Sequence, residues 1–112
     1  MIDKYEFGLI SIDAHEYNHD VWIGIQEVSE WFRPDAHYVD LENIEGILDE
    51  NPQFVLIGTG ESGLVKVSAD AKNFFLDHKV PVIIKETNQA AIEYNTLKKQ
   101  GKRVIALMHL TC

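Results

Sequence analysis

"QFVLIGTGESG" (residues 53–63) is an apolar run that ends in Gly58, Gly60 and Gly63, and its reading decides the fold. A continuous β-branched run without polar alternation suits a strand covered on both faces, as in a parallel sheet. "VPVIIK" (80–85) and "RVIALMHL" (103–110) read the same way. Helical patterns lie between the three runs. Ser68 caps one that buries Ala71, Phe74 and Phe75, with His78 and Lys79 near its C-terminal end. Thr87 caps another that buries Ala90, Tyr94 and Leu97; Lys98 and Lys99 complement its dipole and Gly101 ends it. Strand, helix, strand, helix, strand predicts parallel strands joined by right-handed crossovers.

Working back from Pro52, the rhythm changes. Asp40 is a suitable N-cap for a helix whose apolar stripe is Leu41, Ile44, Ile47 and Leu48, ended by Asn51-Pro52. "FGLISID" (7–13) and "VWIGI" (21–25), separated by the polar "AHEYNHD" (14–20), read as a hairpin, with a further short strand around "VSEW" (28–31). The expected fold is α/β: a single three-layer domain over residues 1–112, with a mixed central sheet, a parallel βαβαβ back half and an antiparallel, hairpin-rich front half.

With 112 residues, 46% of them hydrophobic, there is room for one domain and one core, and a domain of this size buries roughly two thirds of the surface of its unfolded chain. Cys112 is the only cysteine, which excludes a disulfide within the chain and points to a reducing compartment. "MIDKYEFG" has no basic or apolar leader pattern, and no apolar run approaches the ~20 residues of a membrane helix, so a soluble, cytoplasmic protein is expected. The net charge of -8 is uneven: residues 1–52 hold 13 acids against Lys4 and Arg33, and residues 53–112 hold 5 acids against 8 bases. A chain this acidic, with no basic stripe, is repelled by phosphate backbones, which argues against nucleic acid as a partner.

The motifs are then weighed by context. "HEYNH" (15–19) matches the H-E-x-x-H signature of zinc proteases, whose chemistry needs both histidines one turn apart on a helix. Here the stretch sits between strand patterns, where His15 and His19 would stand about 13 Å apart, so no metal site is expected, with or without His37. Gly58-x-Gly60-x-x-Gly63 has the spacing of the dinucleotide fingerprint, and Glu86 ends the next strand where a ribose-binding acid would sit. But "LVKV" (64–67) separates Gly63 from the next helix, which removes the helix N-terminus that would hold a pyrophosphate. The glycines are read as backbone necessities, and no cofactor is expected. Cys112 is read as an unreactive thiol and His109 as a hydrogen-bonded core or strand-end histidine. Trp22, Trp31, Phe32 and Tyr38 are packing residues, or an interface where they stay exposed.

"VLIGTGESG", "YNTLKKQGKRV" and the final "HLTC", in that order and spacing, together with "DVWI" near residue 20 and Glu30-Trp31, resemble a small α/β domain family of unknown function. That family includes the mitochondrial NADH dehydrogenase assembly factor 3 and the adipogenesis-associated cytosolic protein. The resemblance implies a three-layer fold around a mixed sheet. It places Gly58, Gly60, Ser62 and Gly63 on the family's glycine loop, Tyr94 and Asn95 on its last helix, and His109, Leu110, Thr111 and Cys112 on its terminal segment. It supplies no catalytic residue. Relatives tend to have a Gly in the hairpin turn where this chain has Asp13-Ala14.

The expected function is a non-catalytic, assembly-type module working through a protein partner or self-association, with an interface near Trp22, Trp31 and Tyr38. The alternative is a binder of a small molecule or small anion, or an enzyme, with a pocket at the glycine loop built from Thr59, Gly60, Ser62, Gly63, Glu86, Thr87 and His109. The absence of an acid, base and nucleophile at motif spacing favours the first.

Overall fold

In the computed structural model, which describes residues 1–112, the strands in chain order are β1 (Ile2–Glu6), β2 (Leu9–Ile12), β3 (His15–Tyr17), β4 (Val21–Ile23), β5 (Val28–Glu30), β6 (Tyr38–Val39), β7 (Phe54–Thr59), β8 (Lys66–Val67), β9 (Val82–Lys85) and β10 (Val104–His109). The helices are α1 (Ala69–Asp77) and α2 (Thr87–Lys99), with a 3-10 turn at Leu41–Ile44. A five-stranded sheet in the order β5-β4-β10-β7-β9 forms the middle layer. β7 pairs in parallel with both β10 and β9, while β4 joins β10 and β5 antiparallel. The fold class is as the apolar runs predict.

Successive residues of β7 and β10 serve opposite layers. Leu56, Val104, Ala106 and Met108 pack under α2 and the β1-β2-β3 meander with Ala90, Tyr94, Leu97 and Ile10. Val55, Ile57, Ile105 and Leu107 pack on the other face with Ala71 and Phe75 of α1, with Trp31, Val39, Ile44 and Ile47 completing that layer. Burial on both faces is the physical reason that these strands carry no polar alternation.

Several local expectations are corrected. "FGLISID" does not pair with "VWIGI": β2 pairs with β3, so the hairpin turn is Asp13-Ala14, and β4 crosses to the central sheet. Both turn residues have positive φ, 49° and 68°, the type I′ arrangement that matches the twist of a two-residue hairpin. "HEYNH" lies on β3 and the turn after it, without the helical spacing of a metalloprotease. The helix expected from Leu41 stops after its 3-10 turn, because Gly46 (φ +81°) enters the left-handed region; Ile44 and Ile47 still reach the core. Asp40 does cap that turn in a capping box with Asn43 and also accepts a hydrogen bond from Ser68 Oγ at 2.8 Å. "LVKV" contains β8, which pairs in parallel with β6. No helix is long and apolar enough to cross a membrane.

Candidate functional site

The carboxyl ends of β7, β9 and β10 lie side by side, because the register sets His109 opposite Thr59 and Gly58 opposite Lys85. Chemistry in open α/β sheets collects at such ends. Ser68 caps α1 through a bond from the Ala71 amide, as its sequence position predicts. Thr87 does not cap α2: the N-cap is Glu86, without a side-chain bond. The Thr87 hydroxyl is used elsewhere. Fully buried, it donates to the His109 carbonyl at 2.6 Å and accepts the Gly60 amide at 2.8 Å, using both capacities of the group.

This bridge explains the glycines. A Cβ on Gly58 would stand 2.7 Å from Met108 Sδ and 2.9 Å from Thr87 Oγ1. One on Gly60 (φ +100°) would fall on the Cys112 carbonyl and the His109 ring. The loop therefore wraps the 109–112 segment: Glu61 N donates to Thr111 O at 2.6 Å and Leu64 N to Cys112 O at 3.1 Å. Thr59 Oγ1 donates to Lys85 O at 3.1 Å. The amides of Ser62 and Gly63 donate to no group of the chain, and Glu86 lies beside Gly63.

A polar cluster that the sequence did not disclose sits under the same segment. Asp20 Oδ2 is 2.6 Å from His109 Nδ1 and 2.8 Å from Arg33 Nη2, while Asp20 Oδ1 accepts the Leu110 amide at 2.9 Å. Arg33, 4% exposed, also donates to Trp31 O (3.1 Å) and Ala36 O (2.6 Å), and its guanidinium lies 3.8 Å over the Trp31 ring. Its Nε is buried without a partner. Beyond the imidazole, Thr111 Oγ1 is 3.3 Å from His109 Nε2, and the exposed His37 meets the His109 ring edge-on at 5.4 Å. Tyr5 closes one side, its hydroxyl sharing one donor hydrogen between two acceptors, Leu110 O at 3.1 Å and Glu61 Oε2 at 3.2 Å. Burial first, then the bond and charge of Glu61, push the Tyr5 phenol well above its ordinary value.

Of the residues proposed for a pocket, Thr59, Gly60, Thr87 and His109 converge, with Ser62, Gly63 and Glu86 on the rim, but the terminal segment fills the space between them. The proposed interface trio divides. Tyr38 is 42% exposed and Trp22 half-buried. Trp31 is 4% exposed with its indole N–H on Asn43 O at 2.9 Å, so it is a core residue rather than a surface anchor. Asp20 and Arg33 had no local signal, being one acid among many and one base between Phe32 and Pro34; only the fold brings them to His109.

Residues 2–109 match the family described as a protein of unknown function (DUF498/DUF598). The chain is similar in structure to PH1505, a conserved hypothetical protein from Pyrococcus horikoshii OT3, at 29% identity and a TM-score of 0.84, over 100% of this chain and 99% of that one. The protein MT938 gives a TM-score of 0.85 at 23% identity over 100% and 98%. A Bordetella pertussis protein described as a Mth938-like domain gives 0.74 at 20% identity over 98% and 85%. The chain belongs to the DUF498/DUF598 family, a family of α/β domains of unknown function.

Proposed function

We propose that the chain is a binding module of the assembly type, and that its partner docks on the face at the carboxyl ends of the parallel strands. The observation that carries this is the placing of Phe7 (59% exposed), Phe32 (75%), Tyr38 (42%) and Leu64 (48%). Each adjoins a residue tied to the terminal segment or to its histidine: Gly8 N donates to Leu110 O, Leu64 N to Cys112 O, Arg33 approaches His109, and His37 packs on the His109 ring. The exposed acids Glu6, Glu30, Asp35 and Glu61 lie within three residues of them in the chain. Apolar anchors set among carboxylates suit a partner segment that is apolar and basic.

Native mass spectrometry of the protein purified from its source tests this. A co-purifying chain should be lost on Phe32→Ser with Leu64→Ser and kept on Leu76→Ser with Ile92→Ser, which are also exposed but elsewhere. Retention of the chain by the first pair would reject the face. A small retained mass in its place would support a second reading, an anion held by the uncommitted amides of Ser62 and Gly63.

A further inference from the structure

Asp20, His109 and Thr111 form a hydrogen-bonded relay with the direction of a hydrolase triad, and we propose that Thr111 Oγ1 is an acyl-accepting nucleophile for neutral activated esters, with His109 Nε2 as its base. A carboxylate only accepts, so the 2.6 Å contact with Asp20 places a proton on Nδ1, and in the neutral imidazole Nε2 then carries the lone pair a base needs. The Thr111 hydroxyl, on a half-exposed residue, is 3.3 Å from that lone pair, a length usual for an unliganded nucleophile and base. Asp20 and Arg33 are positioning residues. Leu110 N fixes one Asp20 oxygen at 2.9 Å and Arg33 fixes the other at 2.8 Å.

Two observations take this beyond a structural knot. Stability alone is served as well by apolar packing as by a buried ion pair, yet here Arg33 is buried with its Nε unpartnered. The glycine loop also holds unused donors on the segment that carries the nucleophile. Glu61 N and Leu64 N grip residues 111 and 112, and the amides of Ser62 and Gly63 between them donate to no group of the chain, the kind of N–H groups an oxyanion needs.

In the acylation step Oγ1 attacks the acyl carbon, the Oγ1–C bond forms, and the hydroxyl proton passes to His109 Nε2. The oxyanion then collapses, the bond to the leaving oxygen breaks, and the Nε2 proton passes to that oxygen. Water reverses the sequence: it gives a proton to Nε2, its oxygen bonds the acyl carbon, and the Oγ1–C bond breaks with return of the proton to Thr111. The Arg33 guanidinium, 3.4 Å from Nδ1, opposes a transient imidazolium, which restricts the site to esters whose leaving groups need little help. Exposed Glu61 and Glu86 repel anionic acyl donors, which selects neutral ones.

The test is 4-nitrophenyl acetate with the full chain, in the absence of any protein partner, in wild type and in Cys112→Ser, which removes the neighbouring thiol. A burst of one equivalent of 4-nitrophenol and a single acetyl group mapped to Thr111 are expected in both. Thr111→Val should abolish the adduct, Thr111→Ser should retain it, and folded Asp20→Asn should acylate on the order of a hundredfold more slowly. Acetyl groups only on lysines or Cys112, or an equal burst from Thr111→Val, would overturn the proposal even if Asp20→Asn fails to fold. Leu76→Ser with Ile92→Ser, exposed but away from this segment, should leave the burst intact, and because no partner is present in the assay its outcome is independent of the docking reading.

Discussion

The Thr87 hydroxyl donates to the carbonyl of His109 at 2.6 Å, joining the first turn of α2 to the end of β10. Since the same oxygen accepts the Gly60 amide, one buried atom holds three segments together. Thr87→Val keeps the shape but strands a buried amide and weakens a buried carbonyl. A loss of about 3 kcal/mol is expected by urea unfolding, against about 1 kcal/mol for Thr87→Ser, which keeps both bonds. A loss in Thr87→Ser as large as or larger than that in Thr87→Val would show that the hydroxyl bonds are not the dominant contribution.

Ala14 at φ +68° occupies the second position of a type I′ turn, where glycine carries no Cβ penalty. Ala14→Gly should raise stability by about 1 kcal/mol, the usual size of the left-handed cost less the entropy of the unfolded glycine. Chemical denaturation checks it, and a drop in midpoint would refute it.

Asn95 grips β1 at both backbone groups of Ile2: Oδ1 accepts its amide and Nδ2 donates to its carbonyl, each at 2.8 Å. The side chain thus replaces a neighbouring strand for the meander's edge. Asn95→Ala should cost about 2 kcal/mol. Amide exchange should quicken first in β1 and β2 and last in β7; uniform acceleration would argue against a local role.

Burial, and then the charge of Asp13, push the Tyr94 phenol from 10.0 to about 12. A phenol whose folded value is raised contributes its stabilisation fully below the unfolded value and loses it as the pH climbs through the folded one. Stability should therefore decline between pH 10 and 12, and more shallowly in Tyr94→Phe. Paired melts with phenolate absorbance follow it; an unchanged slope in the variant would remove Tyr94 as a cause.

What the sequence determined by itself is the central frame. The runs that became β7, β9 and β10 are apolar at nearly every position, a pattern forced by burial on two faces, and Ser68 marks the start of α1 because a cap is a local device. The glycine spacing was also legible, though only as a backbone need. Tertiary structure decided the rest. Whether β2 pairs with β3 or β4 depends on which partner completes a layer, and a period-two pattern is silent on that. Thr87 looks like a cap in sequence, but its hydroxyl found Gly60 and His109, groups 27 and 22 positions away. Asp20, Arg33 and His109 are separated by intervals that encode nothing; a buried charge must find its counter-charge wherever the chain brings one, and only the folded sheet sets 20 beside 109.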